Sequence, residues 1–160
     1  MFEDKFNQII ENCSLANRKD VAVDIISSNC LPNEFQNSID SRGLGLDKFV
    51  TEEACPGDVC DLARLFLLGE AIHPSMILEI GSGYSTAVFA RVVEHSRLVL
   101  KDKKYPHRNE KNYHLISLDE SKKYIDITKN RLPNDLLKYV SFNHSTVSLS
   151  TFCGRYVTVF

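Results

Sequence analysis

The stretch Met76-Ile77-Leu78-Glu79-Ile80-Gly81-Ser82-Gly83-Tyr84-Ser85-Thr86 constrains what this chain can fold into more than any other. Met76 to Ile80 is an apolar run broken only by Glu79, which suits a central parallel strand buried on both faces. Gly81 and Gly83 then permit a sharp turn. Thr86 to Glu94 supplies Ala87, Val88, Ala90, Val92 and Val93 for a helix that packs back on the sheet. Strand, glycine turn and helix are the opening unit of an α/β fold.

The flanking sequence extends that unit in both directions. Upstream, Cys55-Pro56-Gly57 reads as a turn and Asp58 as the N-cap of a helix carrying Val59, Leu62, Ala63, Leu65, Phe66 and Ala71 up to His73-Pro74. Downstream, His114 to Leu118 reads as a second strand ending at Asp119-Glu120, followed by a helix from Ser121 to Arg131 that stops near Pro133. Tyr139 to Asn143 predicts a third strand, and Val147 to Leu149 with Tyr156 to Phe160 predicts a hairpin around Cys153-Gly154. Alternating strands and helices of this kind imply a mostly parallel sheet. The sequence stops inside an apolar strand, so the sheet is expected to be unfinished at its C-terminal side, with a free edge through which copies could associate. Residues 1–54, with helical patterns at Lys5 to Asn12 and Asp20 to Ser27 and then a polar stretch from Asn33 to Gly45, form an N-terminal extension; residues 55–160 form the α/β domain.

Bulk properties exclude more than they assign. With 160 residues, 19 basic against 21 acidic side chains and a net charge of -2, the chain is about one domain long and has no global field for a phosphate backbone, so nucleic acid is not indicated. No segment approaches the roughly 18 apolar residues of a bilayer span, and no export signal opens the chain, which points to the cytoplasm. Five cysteines, Cys13, Cys30, Cys55, Cys60 and Cys153, at irregular spacing read as reduced thiols; Cys55 and Cys60 lack the second ligand pair of a zinc site, and no metal is expected. Residues 96–111, with Arg97, Lys101, Lys103, Lys104, Arg108 and Lys111, read as a basic surface insertion: a solvated loop, or a flap facing an anionic substrate or cofactor.

Two strand ends converge on one ligand in such a sheet, because ligands bind beyond the carboxyl ends of parallel strands. Asp119 there has the chemistry to accept from two vicinal ribose hydroxyls; its alternative role is to cap the helix beginning near Glu120. Glu79, buried in a strand, needs a partner, which the ammonium of a bound cofactor would supply. Glu79-Ile80-Gly81-Ser82-Gly83-Tyr84-Ser85 resembles the first motif of class I S-adenosylmethionine-dependent methyltransferases, an acid followed by Gly-x-Gly-x-Gly, with Ser85 in place of the third glycine. The resemblance covers Asp58 to Phe142. It implies a Rossmann-like three-layer sandwich and S-adenosylmethionine as cofactor. Gly81, Ser82, Gly83, Tyr84 and Ser85 would wrap the methionine moiety, with Glu79 near its amino group, Asp119 on the ribose and the neighbourhood of His144, Ser145 and Thr146 at the adenine. The expected activity is methyl transfer to an unidentified small-molecule acceptor. A nicotinamide dinucleotide fingerprint fits less well, since Thr86 stands at its third glycine and Asp119 lies 36 residues beyond Gly83. A truncated, non-catalytic fragment of such a methyltransferase is the other alternative. His73, His95, His107, His114 and His144 are formally capable bases, and none is singled out as catalytic.

Overall fold

The structure is a computed structural model, and it describes residues 2–29, 58–100 and 113–159. The elements in order are α1 (Phe2–Leu15), α2 (Lys19–Asn29), α3 (Val59–Ile72), β1 (Met76–Ile80), α4 (Tyr84–Leu100), β2 (His114–Asp119), α5 (Lys122–Arg131), α6 (Asn134–Leu137), β3 (Val140–His144), β4 (Ser148–Phe152) and β5 (Arg155–Val159). The chain is thus a mixed α/β protein with a three-stranded sheet, in the order β1-β2-β3 and parallel throughout.

Helix α3 forms as its termini predict. The Asp58 carboxylate accepts from the amides of Cys60 at 2.7 Å and Asp61 at 3.4 Å, satisfying two of the free first-turn donors. At the other end His73 turns left-handed, with φ 50, and its N–H donates to the Gly69 carbonyl at 2.8 Å before Pro74 forbids another turn. On α3 the buried Val59, Leu62, Ala63 and Phe66 meet Ala16 in the turn after α1, Ala22 and Ile26 of α2, and Val88 and Val92 of α4. Helix α2 and the turn before it therefore share a core with α3. Gly69 is what lets α3 and α4 approach: a Cβ there would stand 2.5 Å from a Val92 methyl carbon.

A second core lies between α4 and the sheet, where Ala87, Ala90 and Val93 pack with Leu115, Leu132, Leu136 and Tyr139. Along β2 the inward set is Leu115, Ser117 and Asp119, every second residue, as the pleat requires. The opposite face is bare among the described residues. Met76, Leu78 and Ile80 are 54%, 61% and 56% exposed, so the expected central strand buried on both faces is not found: β1 is an edge strand covered on one face. The reason is topological. Both crossovers, β1-α4-β2 and β2-α5-β3, step in the same direction along the sheet, and right-handed crossovers then place both helices on one side.

Helix α4 is longer than expected. Residues 96–100, which the sequence places in the basic insertion, are its last turns, because Val93, Ser96 and Leu100 continue the buried stripe begun by Val88 and Val92. Arg97 donates from Nη1 to the Tyr139 hydroxyl at 3.2 Å, so this cation is tied to the core margin. Helix α6 was not foreseen, and β3 starts one residue later than its pattern predicts. The hairpin is found: Phe152 pairs with Arg155 across Cys153 and Gly154, whose φ values of 51 and 74 give the two left-handed residues of a tight turn. The polar stretch from Asn33 to Gly45, the turn at Cys55-Pro56-Gly57, Cys30, His107 and the rest of the basic insertion lie outside the described residues. Cys13, Cys60 and Cys153 are free thiols, and among the described residues no cluster could hold a metal ion and no helix is long and apolar enough to cross a membrane.

Candidate nucleoside-binding site

Parallel pairing of β1 with β2 brings Gly81 beside Asp119, and the loop between β1 and α4 is built on that proximity. Gly81 adopts φ 90, which an L side chain resists, and its N–H donates to the Leu118 carbonyl at 2.7 Å. Ser82 donates twice to Asp119 Oδ2, from its backbone N–H at 2.6 Å and its hydroxyl at 2.7 Å. Gly83 precedes the first turn of α4, where it has no side chain to cap with; its N–H instead donates to Thr86 Oγ1 at 2.9 Å, one half of a capping box. A Cβ built at either Gly81 or Gly83 would meet nothing within 4 Å, so the space outside both glycines is open to a ligand.

Glu79 points inward beneath this loop and is 5% exposed. Three hydroxyls converge on it: Ser85 donates to Oε1 at 2.5 Å, while Thr86 and Ser117 donate to Oε2 at 2.7 and 2.8 Å. Burial pushes the carboxyl above its ordinary range; the three hydroxyls oppose that shift, and the nearby Asp119 charge adds to it. The partner that Glu79 requires is therefore already present inside the protein, in hydroxyls rather than in a ligand's ammonium. Glu79 staples the first turn of α4 to β2 and so fixes where the glycine loop stands.

Asp119 is 8% exposed, and besides Ser82 it accepts on Oδ1 from the Ser121 amide at 2.7 Å. Ser121, not Asp119, is the side-chain cap of α5, accepting from the Tyr124 amide at 3.4 Å. Beyond Asp119, the Ser145 N–H donates to the Asp119 carbonyl at 2.9 Å and His144 Nε2 donates to the Glu120 carbonyl at 3.0 Å. A shallow groove of about 460 Å³ runs down the bare sheet face past Ile116, Leu118 and Asn143 to His144 and Ser145; no residue of the glycine loop lines it.

No known family, curated protein or solved structure matches the chain. The structure brings Glu79, Gly81, Ser82, Gly83, Ser85 and Asp119 together at the carboxyl ends of β1 and β2. The ring of Tyr84 packs instead against the α3 cluster. Of the histidines, His73 ends α3, His95 Nδ1 lies 3.3 Å from a Glu70 oxygen, and His114 meets the Ser141 hydroxyl at the opposite end of β2 from Asp119. His144 alone of the described histidines stands at the rim near Asp119. Thr86 and Ser117 were missed from sequence, although Ser117 carries a readable signal. It faces Glu79 in the β1–β2 register, so two polar residues interrupt two apolar strands at the same level.

Proposed function

We propose that this chain binds S-adenosylmethionine at the Gly81–Ser85 loop and Asp119, as the cofactor half of a Rossmann-like methyltransferase acting on a small-molecule acceptor. The observation that carries this is the pairing of an open, side-chain-free loop at Gly81 and Gly83 with a carboxylate at the end of the adjacent parallel strand. The bound cofactor would supply an electrophilic methyl group on a sulfonium. The chain's own contribution is positional: the loop backbone presents amides and close approach to the amino-acid moiety, Asp119 accepts from the ribose, and Glu79 holds the loop in register. In this reading the helices that the described residues place on one face of the sheet form one layer of a three-layer sandwich, and a sheet edge offers a route to self-association. A dinucleotide is disfavoured because Thr86, at the position of the third glycine, is wholly buried with its hydroxyl shared between Glu79 and Gly83.

A second reading, a non-catalytic unit that needs a covering partner, is favoured by the exposure of Leu78 and Ile80 on the bare face. Calorimetric titration of the purified chain with S-adenosylhomocysteine and, separately, with NAD tests the first; micromolar binding of the former alone is expected, and preference for NAD would overturn it. A non-cooperative thermal transition of the isolated chain would favour the second.

A further inference from the structure

We infer that the Ser82 hydroxyl occupies the acceptor on Asp119 that a ligand's cis-diol must take, so that Ser82 sets how strongly this site selects a 2′,3′-diol nucleoside. The inference rests on the proposed nucleoside site and adds the residue that tunes its sugar specificity.

A carboxylate offers about four acceptor directions. Three of those on Asp119 are filled from within the protein: two on Oδ2 by the Ser82 amide and hydroxyl, one on Oδ1 by the Ser121 amide. A single ribose hydroxyl can be received on the remaining direction of Oδ1. Two vicinal hydroxyls cannot, unless one internal donor leaves. Both amides are fixed by the backbone, the Ser82 amide by the turn at Gly81 and the Ser121 amide by the start of α5. The Ser82 hydroxyl is held by one rotatable bond, so it alone of the three internal donors can turn away without moving the backbone. Binding of a diol therefore exchanges one charge-assisted hydrogen bond for another on Oδ2, whereas binding of a 2′-deoxy sugar leaves Ser82 in place.

The experiment titrates wild type, Ser82→Ala and Ser82→Thr with S-adenosylhomocysteine and with its 2′-deoxyribose counterpart by calorimetry, with thermal unfolding of each variant alongside. Wild type is expected to prefer the diol by no more than about threefold, because the exchange on Oδ2 nearly cancels. Ser82→Ala, which keeps the backbone bond to Asp119, is expected to bind the diol roughly three- to tenfold more tightly than wild type and the deoxy compound unchanged. Ser82→Thr retains the hydroxyl and should keep the wild-type ratio between the two compounds. Weaker or equal binding of the diol by a cooperatively folded Ser82→Ala, or a strong diol preference already present in wild type, overturns the inference while leaving the site intact. Absence of binding to all three folded proteins overturns the site itself.

Discussion

Removing Glu79 asks whether the hydroxyl cluster beneath the loop holds the site together. In Glu79→Ala the Thr86 and Ser117 hydroxyls, both fully buried, lose their acceptor, and each orphaned buried group costs about 1–3 kcal/mol. Against this stands relief from burying a carboxylate, which burial already pushes toward its neutral form. The balance is a loss of about 2–4 kcal/mol, a large share of the roughly 5–15 kcal/mol that holds a domain folded. Glu79→Gln keeps the volume and one carbonyl acceptor and carries no charge, so it should stay within about 1 kcal/mol of wild type near neutral pH. The pH dependence has a definite sign. The folded carboxyl titrates above its ordinary value of 4.5, so the folded state binds more protons than the unfolded chain in the interval above that value. The stability this contributes is fully present below 4.5 and is lost as pH rises through the folded value; Glu79→Gln lacks that loss. Urea unfolding followed by circular dichroism from pH 4 to pH 8 measures both effects as differences between variants. A cost below about 1 kcal/mol for Glu79→Ala would refute the staple, and a difference between wild type and Glu79→Gln that is flat with pH would refute the raised carboxyl.

Two glycines separate packing from function. Gly69→Ala puts a methyl group 2.5 Å from Val92 between α3 and α4, so overpacking of about 1–3 kcal/mol should outweigh the roughly 1 kcal/mol gained in helix propensity, seen as a lowered urea midpoint. Gly83→Ala meets no protein atom and should unfold within a few degrees of wild type, yet the added methyl group stands in the space proposed for the ligand and should weaken S-adenosylhomocysteine at least tenfold by calorimetry.

Much of the frame was legible because its signals are local. Asp58 and His73-Pro74 mark the ends of α3 through capping and proline sterics, and the apolar runs at Met76 and Leu115 mark strands whatever surrounds them. Burial of β1 was not legible, since it depends on which side the crossovers place their helices, and an apolar run reads the same whether both of its faces are covered or one. The true length of α4 was masked by Arg97, a basic residue whose long side chain lets a cation sit on a helix at the core margin. At the site, the glycines and Asp119 could be located by their position after two strands. The internal donors of Glu79 and Asp119 could not, because Ser82, Ser85, Thr86, Ser117 and Ser121 meet them only once the register is fixed.

The central claim is that Asp119 and the glycine loop form a nucleoside cofactor site. Its most direct test is calorimetric titration of S-adenosylhomocysteine into the wild-type chain and Asp119→Ala, each first shown to unfold cooperatively. Micromolar binding by wild type, weakened about 10- to 100-fold in the variant as expected for loss of a charge-assisted hydrogen bond, is the predicted result. Failure of a cooperatively folded wild-type chain to bind, or equal binding by both proteins, would contradict it.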